Sequence, residues 1–229
     1  MPIEKKIMDF YIKCENLDDV IVNDKSVPEH IFNAIMIAVA INSEFEYKYD
    51  ISKIIEMISF GITAKFVDDE FFKNDKIHSI INNFNNQVSN ESNFAKQCFE
   101  LEMALCNNNS KNLSEDFKYI YDSFNKNDDE RINNIKSFIE IGDKLKNITR
   151  KGWIDWHVKR DRIENDAEHV YGVIMLAASM LINYNYNVDF DKVILLAAIH
   201  EIGEAKIGDL TQFDIGKQEK KICCTWNTL

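Results

Sequence analysis

The sequence predicts an all-α protein, a helical bundle, and three observations carry that expectation. Seven Gly and two Pro in 229 residues are too few for a fold assembled from many tight turns. Long apolar stretches recur with helical spacing, each opened by a residue suited to a helix start. The chain also resembles itself at an offset of 139 residues, as expected of a duplicated helical unit.

The repeat fixes the element order. Residues Glu29 to Lys53 map without gaps onto Glu168 to Lys192, and nine of the 27 positions from 29 to 55 are identical to their counterparts, among them Glu29/Glu168, His30/His169, Met36/Met175, Asp50/Asp189 and Lys53/Lys192. In the first copy a long apolar helix opens at Ser26-Val27-Pro28, with the proline suited to a first turn. Asp50 then caps the next helix. Residues 74–105 and 129–147 have amphipathic helical patterns, and the Asn-, Ser-, Lys- and Asp-rich region from Asn107 to Arg131 reads as a solvated helical connection. In the second copy Asn165-Asp166 opens the apolar helix that carries His169, and Asp189 caps a helix reading F-D-K-V-I-L-L-A-A-I-H-E-I-G-E. Its i, i+3, i+4, i+7 face of Val193, Leu196, Ala197 and His200 points inward, with Glu204 one turn further along the same face. The expected domains are 1–125 and 126–229.

Composition narrows the function. A net charge of -11 and a pI near 5.0 argue against a nucleic-acid-wrapping surface, because phosphate backbones are bound by clustered Lys and Arg. The short basic stretch Lys159 to Arg162 reads as a solvated turn. Cys14, Cys98, Cys106, Cys223 and Cys224 are odd in number and lack disulfide or zinc-finger spacing, and M-P-I-E-K-K-I-M-D-F is no signal peptide. The apolar run Gly172 to Ile182 is too short to span a bilayer. A cytoplasmic location with no membrane partner is expected.

The chemistry concentrates in A-A-I-H-E-I-G-E-A-K-I-G-D, which holds His200, Glu201 and Glu204, 31 residues after His169. Two imidazoles and a carboxylate from facing helices suit a divalent cation of the Mn, Co, Fe, Zn or Mg kind and leave coordination positions for water and a phosphate oxygen. Burying His169, His200 and Glu201 together without a shared partner would be costly. Glu204 is then placed to handle a proton. His30 reads as a hydrogen-bonded core histidine, and His78 and His157 as surface residues.

From about Leu145 to Lys221 the chain resembles the HD-domain phosphohydrolases, in particular their 5'-deoxynucleotidase-like branch. The resemblance rests on R-K-G-W at 150–153, D-A-E-H at 166–169, A-I-H-E-I-G-E at 198–204 and I-G-D-L-T at 207–211, in that order and spacing. It implies a helical domain that holds one divalent metal and removes phosphate from nucleoside 5'-monophosphates, in a homodimer or an internal pseudo-dimer. His169, His200 and Glu201 match its metal ligands, Glu204 its water-activating acid, Asp209 a carboxylate near the substrate, and Arg150 and Trp153 its nucleotide-holding pair.

The chain departs from the pattern at two places. Glu201 stands where the family has Asp, which moves the carboxylate by about 1.5 Å. No D-x-L-E-M-like closing helix follows Asp209, so the second copy is expected to be incomplete at its C-terminus, where I-C-C-T-W-N-T-L has no helical period. The first copy has a closing-helix counterpart, F-E-L-E-M at 99–103, but Gly61, Ile62 and Lys65 replace the counterparts of His200, Glu201 and Glu204. It is therefore a degenerate copy. The alternative to an enzyme is a non-catalytic HD-like interaction module.

Overall fold

The computed structural model describes residues 2–124, 126, 129–159 and 161–209. Arg160, Leu210, Thr211, Cys223, Cys224 and the final I-C-C-T-W-N-T-L lie outside them. Helix α1 (Ile3–Glu15) leads into a two-residue hairpin of β1 (Ile21–Val22) and β2 (Lys25–Ser26), turned by Asn23 and Asp24. Both turn residues have positive φ, 47° and 65°, as a tight hairpin matching strand twist requires. Ten further α-helices follow among the described residues: α2 (Val27–Glu44), α3 (Ile51–Thr63), α4 (Asp75–Asn86), α5 (Asn90–Asn107), α6 (Glu115–Ser123), α7 (Glu130–Leu145), α8 (Lys151–Asp155), α9 (Asp166–Asn183), α10 (Phe190–Ile199) and α11 (Glu204–Ile207). No described helix is long and apolar enough to cross a membrane.

The repeated helices start in the same way. Ser26 and Glu29 form a capping box at α2, and Asn165 and Glu168 form its counterpart at α9. Asp50 and Asp189 each accept from the backbone N–H three residues on, at Lys53 and Lys192. The 74–105 stretch splits in two, because Gln87 adopts a left-handed φ of 52° that ends α4 and Ser89 caps α5.

The two repeats pack on each other through equivalent elements, α2 against α9 and α3 against α10. Ser52 Oγ donates to Asp191 Oδ1 at 2.9 Å, across two positions 139 residues apart. Asn165 Nδ2 donates to Glu29 Oε1 at 3.0 Å, joining the two capping boxes. One continuous core results, in which Phe32, Ile35 and Phe60 share a cluster with Tyr171, Ile174 and Ile194. The leading helices cross over: α1 lies on α9, and α7 lies on α2.

Three details differ from the sequence expectation. Helix α10 stops at Ile199, and residues 200–203 form a turn, so Glu204 opens a new short helix rather than extending the old one. The buried face of α10 is Ile194, Ala197 and Ala198, while Leu196 is 60% exposed, because the α3 side of the bundle takes that face and leaves Leu196 outward. Arg162, read as part of a solvated turn, donates to both oxygens of buried Glu168 at 2.9 Å and so braces the start of α9.

Candidate metal and phosphate site

His169 sits in the first turn of α9, held there by the Asn165 capping box. His200 and Glu201 occupy the turn after α10, and the packing of α10 on α9 brings that turn to His169. Ligand atoms of His169, His200 and Glu201 lie within 4.8 Å of one another. Glu201 Oε1 is 3.3 Å from His200 Nε2 and 3.6 Å from His169 Nε2, and the two rings stand 5.6 Å apart at 63°. Glu201 is buried, whereas the His200 side chain is 33% exposed, which leaves the cluster one open side.

The far nitrogen of each ring decides what the near one can do. His200 Nδ1 lies 2.8 Å from the Ala197 carbonyl, which can only accept, so Nδ1 carries a proton and Nε2 is the nitrogen that faces the cluster. His169 Nδ1 faces Glu164 Oε1 at 3.4 Å, and the same oxygen accepts from the Trp153 indole N–H at 2.8 Å. A carboxylate behind a histidine fixes its ring orientation and raises its basicity toward a cation in front.

Among the described residues, the Arg150 guanidinium brings positive charge to the carboxylates. Arg150 Nη1 is 2.9 Å from Glu201 Oε1, 3.4 Å from Asp166 Oδ1 and 3.7 Å from Asp209 Oδ1. Asp209 also accepts from the Lys151 backbone N–H at 2.7 Å, tying the segment after α11 to the start of α8. Burial pushes the Asp166 carboxyl up to about 7, with Arg150 opposing and Glu201 and Asp209 adding to the rise, and its Oδ2 has no hydrogen-bond partner among the described residues. Burial works against the charge on Glu201, but the His200 hydrogen bond and Arg150 outweigh it and hold the carboxyl below its ordinary range. Burial likewise opposes the His200 imidazolium, and the bonds to Glu201 and Ala197 reverse it, so its pKa is raised. The donor set and the orphaned buried carboxylate oxygen fit a small divalent cation at this place.

The sequence therefore named a set that lies together: His169, His200, Glu201, Arg150, Trp153 and Asp209, with Glu204 three residues beyond Glu201 and its backbone N–H on the Glu201 carbonyl at 2.8 Å. It missed Glu164 and Asp166, which flank the site although neither lies on a periodic apolar face. Their sequence signal is the run of carboxylates five and three residues before His169 in I-E-N-D-A-E-H. His30 is a buried, hydrogen-bonded histidine, and His78 and His157 are exposed.

The first copy cannot reproduce this arrangement for a packing reason. Gly61, the counterpart of His200, has so little room that an added Cβ would lie 2.3 Å from Phe84 Cδ1. The Phe84 ring on α4 fills the space that an imidazole would need.

Comparison with known proteins agrees with this location. Residues 142–223 match the HD domain family model. The chain is 35% identical over 89 residues to a 5'-deoxynucleotidase of Saccharomyces cerevisiae, covering 38% of this chain and 35% of that protein. It is 33% identical over 95 residues to the 5'-deoxynucleotidase HDDC2 of Dictyostelium discoideum, covering 39% and 49%. For HDDC2 of Bos taurus the figures are 26% over 88 residues, 38% and 40%. The matched segments thus span about a third to a half of these relatives. No solved structure matches the chain.

Proposed function

We propose that this protein, an HD-domain chain similar over its C-terminal part to 5'-deoxynucleotidases, is a metal-dependent phosphohydrolase that removes phosphate from (deoxy)nucleoside 5'-monophosphates. The observation that carries the reading is the convergence of His169, His200 and Glu201, with both histidines oriented by partners behind them. These three residues would hold the divalent cation, which supplies Lewis acidity toward a phosphoryl oxygen and toward water. The tandem reading, with copies at 1–125 and 126–229, is supported by the offset-139 contacts between Ser52 and Asp191.

The other residues take defined parts. Arg150 pairs with the charge of the transferring phosphoryl group, moving from the carboxylates that hold it in the resting site. Glu204 accepts the proton of the attacking water; the phosphorus–O5' bond breaks, and the departing nucleoside oxygen takes up a proton. Trp153, fixed through its indole N–H, offers a flat apolar face for the nucleoside. Asp209 keeps the α8 backbone and the Arg150 charge in register.

The test is a metal analysis of the purified chain paired with phosphate release from a nucleoside monophosphate panel. Close to one equivalent of transition metal, lost in His200→Ala, with phosphate release falling on the order of a hundredfold or more, is expected. Metal retained without turnover on any nucleotide would favour a binding module, and absence of both metal and turnover would reject the hydrolase reading.

A further inference from the structure

Away from that centre, the first half gathers another donor set around His30. Helix α5 presents Glu102 and Cys106 four residues apart on one face, and the close packing of α5 on α2 sets them against His30. His30 Nδ1 is 2.7 Å from Glu102 Oε2, and Cys106 Sγ is 3.2 Å from Glu102 Oε1. Ligand atoms of the three residues all lie within 4.8 Å of one another. Lys25 Nζ, from β2, touches Glu102 Oε1 at 3.2 Å and Cys106 Sγ at 3.1 Å.

We infer that His30, Glu102 and Cys106 form a second metal site, for a thiophilic divalent cation of the zinc class, and that Lys25 is the resident counter-ion the metal displaces. The His30 ring is built for a ligand. Its Nε2 lies 2.7 Å from the Val22 carbonyl, which can only accept, so Nε2 carries a proton, and Nδ1, now facing Glu102 Oε2 at 2.7 Å, is the nitrogen that meets a cation once its own proton leaves. A nitrogen, a carboxylate oxygen and a thiolate at such mutual distances match three corners of a tetrahedral zinc-class site. The fourth corner opens on a cavity of about 470 Å³ lined by Lys25, Asn33, Ile37, Lys136 and Glu140, which gives an ion a way in and the Lys25 ammonium a place to go.

The site is not a remnant of the centre in the second copy. There His169 aims Nε2 at its cluster and Nδ1 at the preceding segment; here His30 does the reverse, with Nε2 on the hairpin and Nδ1 on α5. Cysteine also replaces the second imidazole, which shifts preference toward softer cations. Binding releases the proton of the Cys106 thiol and the Nδ1 proton of His30 to solvent, while Lys25 keeps its charge and swings away.

Cobalt(II) titration of the intact chain tests this directly, because a thiolate on cobalt gives a near-ultraviolet charge-transfer absorption that histidine and carboxylate ligands do not. The band should grow to one equivalent, vanish in Cys106→Ser, and in Lys25→Met appear at about tenfold lower cobalt concentration, since a like charge at the site has been removed. A band absent from both the unaltered chain and Lys25→Met, or one that persists undiminished in Cys106→Ser, would overturn the inference. Circular dichroism of each variant verifies the fold, and half-buried Cys106 tolerates serine there.

Discussion

Glu56 shows how strongly one buried side chain can couple this fold to pH. It sits on α3 beside the α10 contact, 7% exposed, with no partner for Oε1 among the described residues. Burial, with Asp191 and Asp50 adding to it, pushes its carboxyl from 4.5 up to about 7. The folded state therefore favours the protonated acid: the stabilisation is complete below pH 4.5 and is lost as pH rises through about 7. Glu56→Gln, which cannot ionise, should match the unaltered chain near pH 4.5 and exceed it at pH 9 by on the order of 2–3 kcal/mol. Urea melts at both pH values decide it, and equal stability differences at the two would reject the assignment. Arg162 makes the opposite case, an ion pair at the surface that orders a helix start. Arg162→Ala leaves Glu168 buried without its bidentate partner and should cost about 1–3 kcal/mol by thermal unfolding.

Helix starts were the most legible elements. Ser26, Asp50, Asn165 and Asp189 each cap a helix where the repeat placed one, since capping is a local bond between a side chain and a backbone three residues away. Asn165→Ala removes the cap beside His169 and is expected to cost about 1 kcal/mol of stability while weakening metal retention at the His169 centre. Helix ends were less legible. The apolar spacing through Leu196 and His200 continues smoothly in the sequence, but the α-helix ends at Ile199 and the backbone tightens into hydrogen bonds three residues apart over the turn that sets His200 and Glu201 beside His169. The close approach of Gly61 to Phe84 was equally invisible, because it joins α3 to a ring on α4 that no periodicity predicts. Gly61→Ala should destabilise by about 1–3 kcal/mol in a denaturant melt through overpacking, despite alanine's better helix propensity.

At the scale of the molecule, the shared core and the α2–α9 and α3–α10 contacts predict a single cooperative transition. Trp153, Trp156 and Trp226 all lie in the second half, so tryptophan fluorescence follows that half while far-ultraviolet circular dichroism follows the entire chain. The two urea curves should superimpose; a fluorescence midpoint clearly below the dichroism midpoint would show the halves melting apart. The candidate metal-ligand set of His169, His200 and Glu201 was legible because one helix and one turn carry it. Glu164, Asp166 and the crossed packing were not, because they depend on which helices meet in space. The crossing of α1 onto α9 and of α7 onto α2 gives the N-terminal half a mechanical hold on the half that carries His169, His200 and Glu201. Each half lends the other its leading helix, so cutting the chain midway would strip a wall from both. The N-terminal half thus serves as the splint against which the His169 cluster is set.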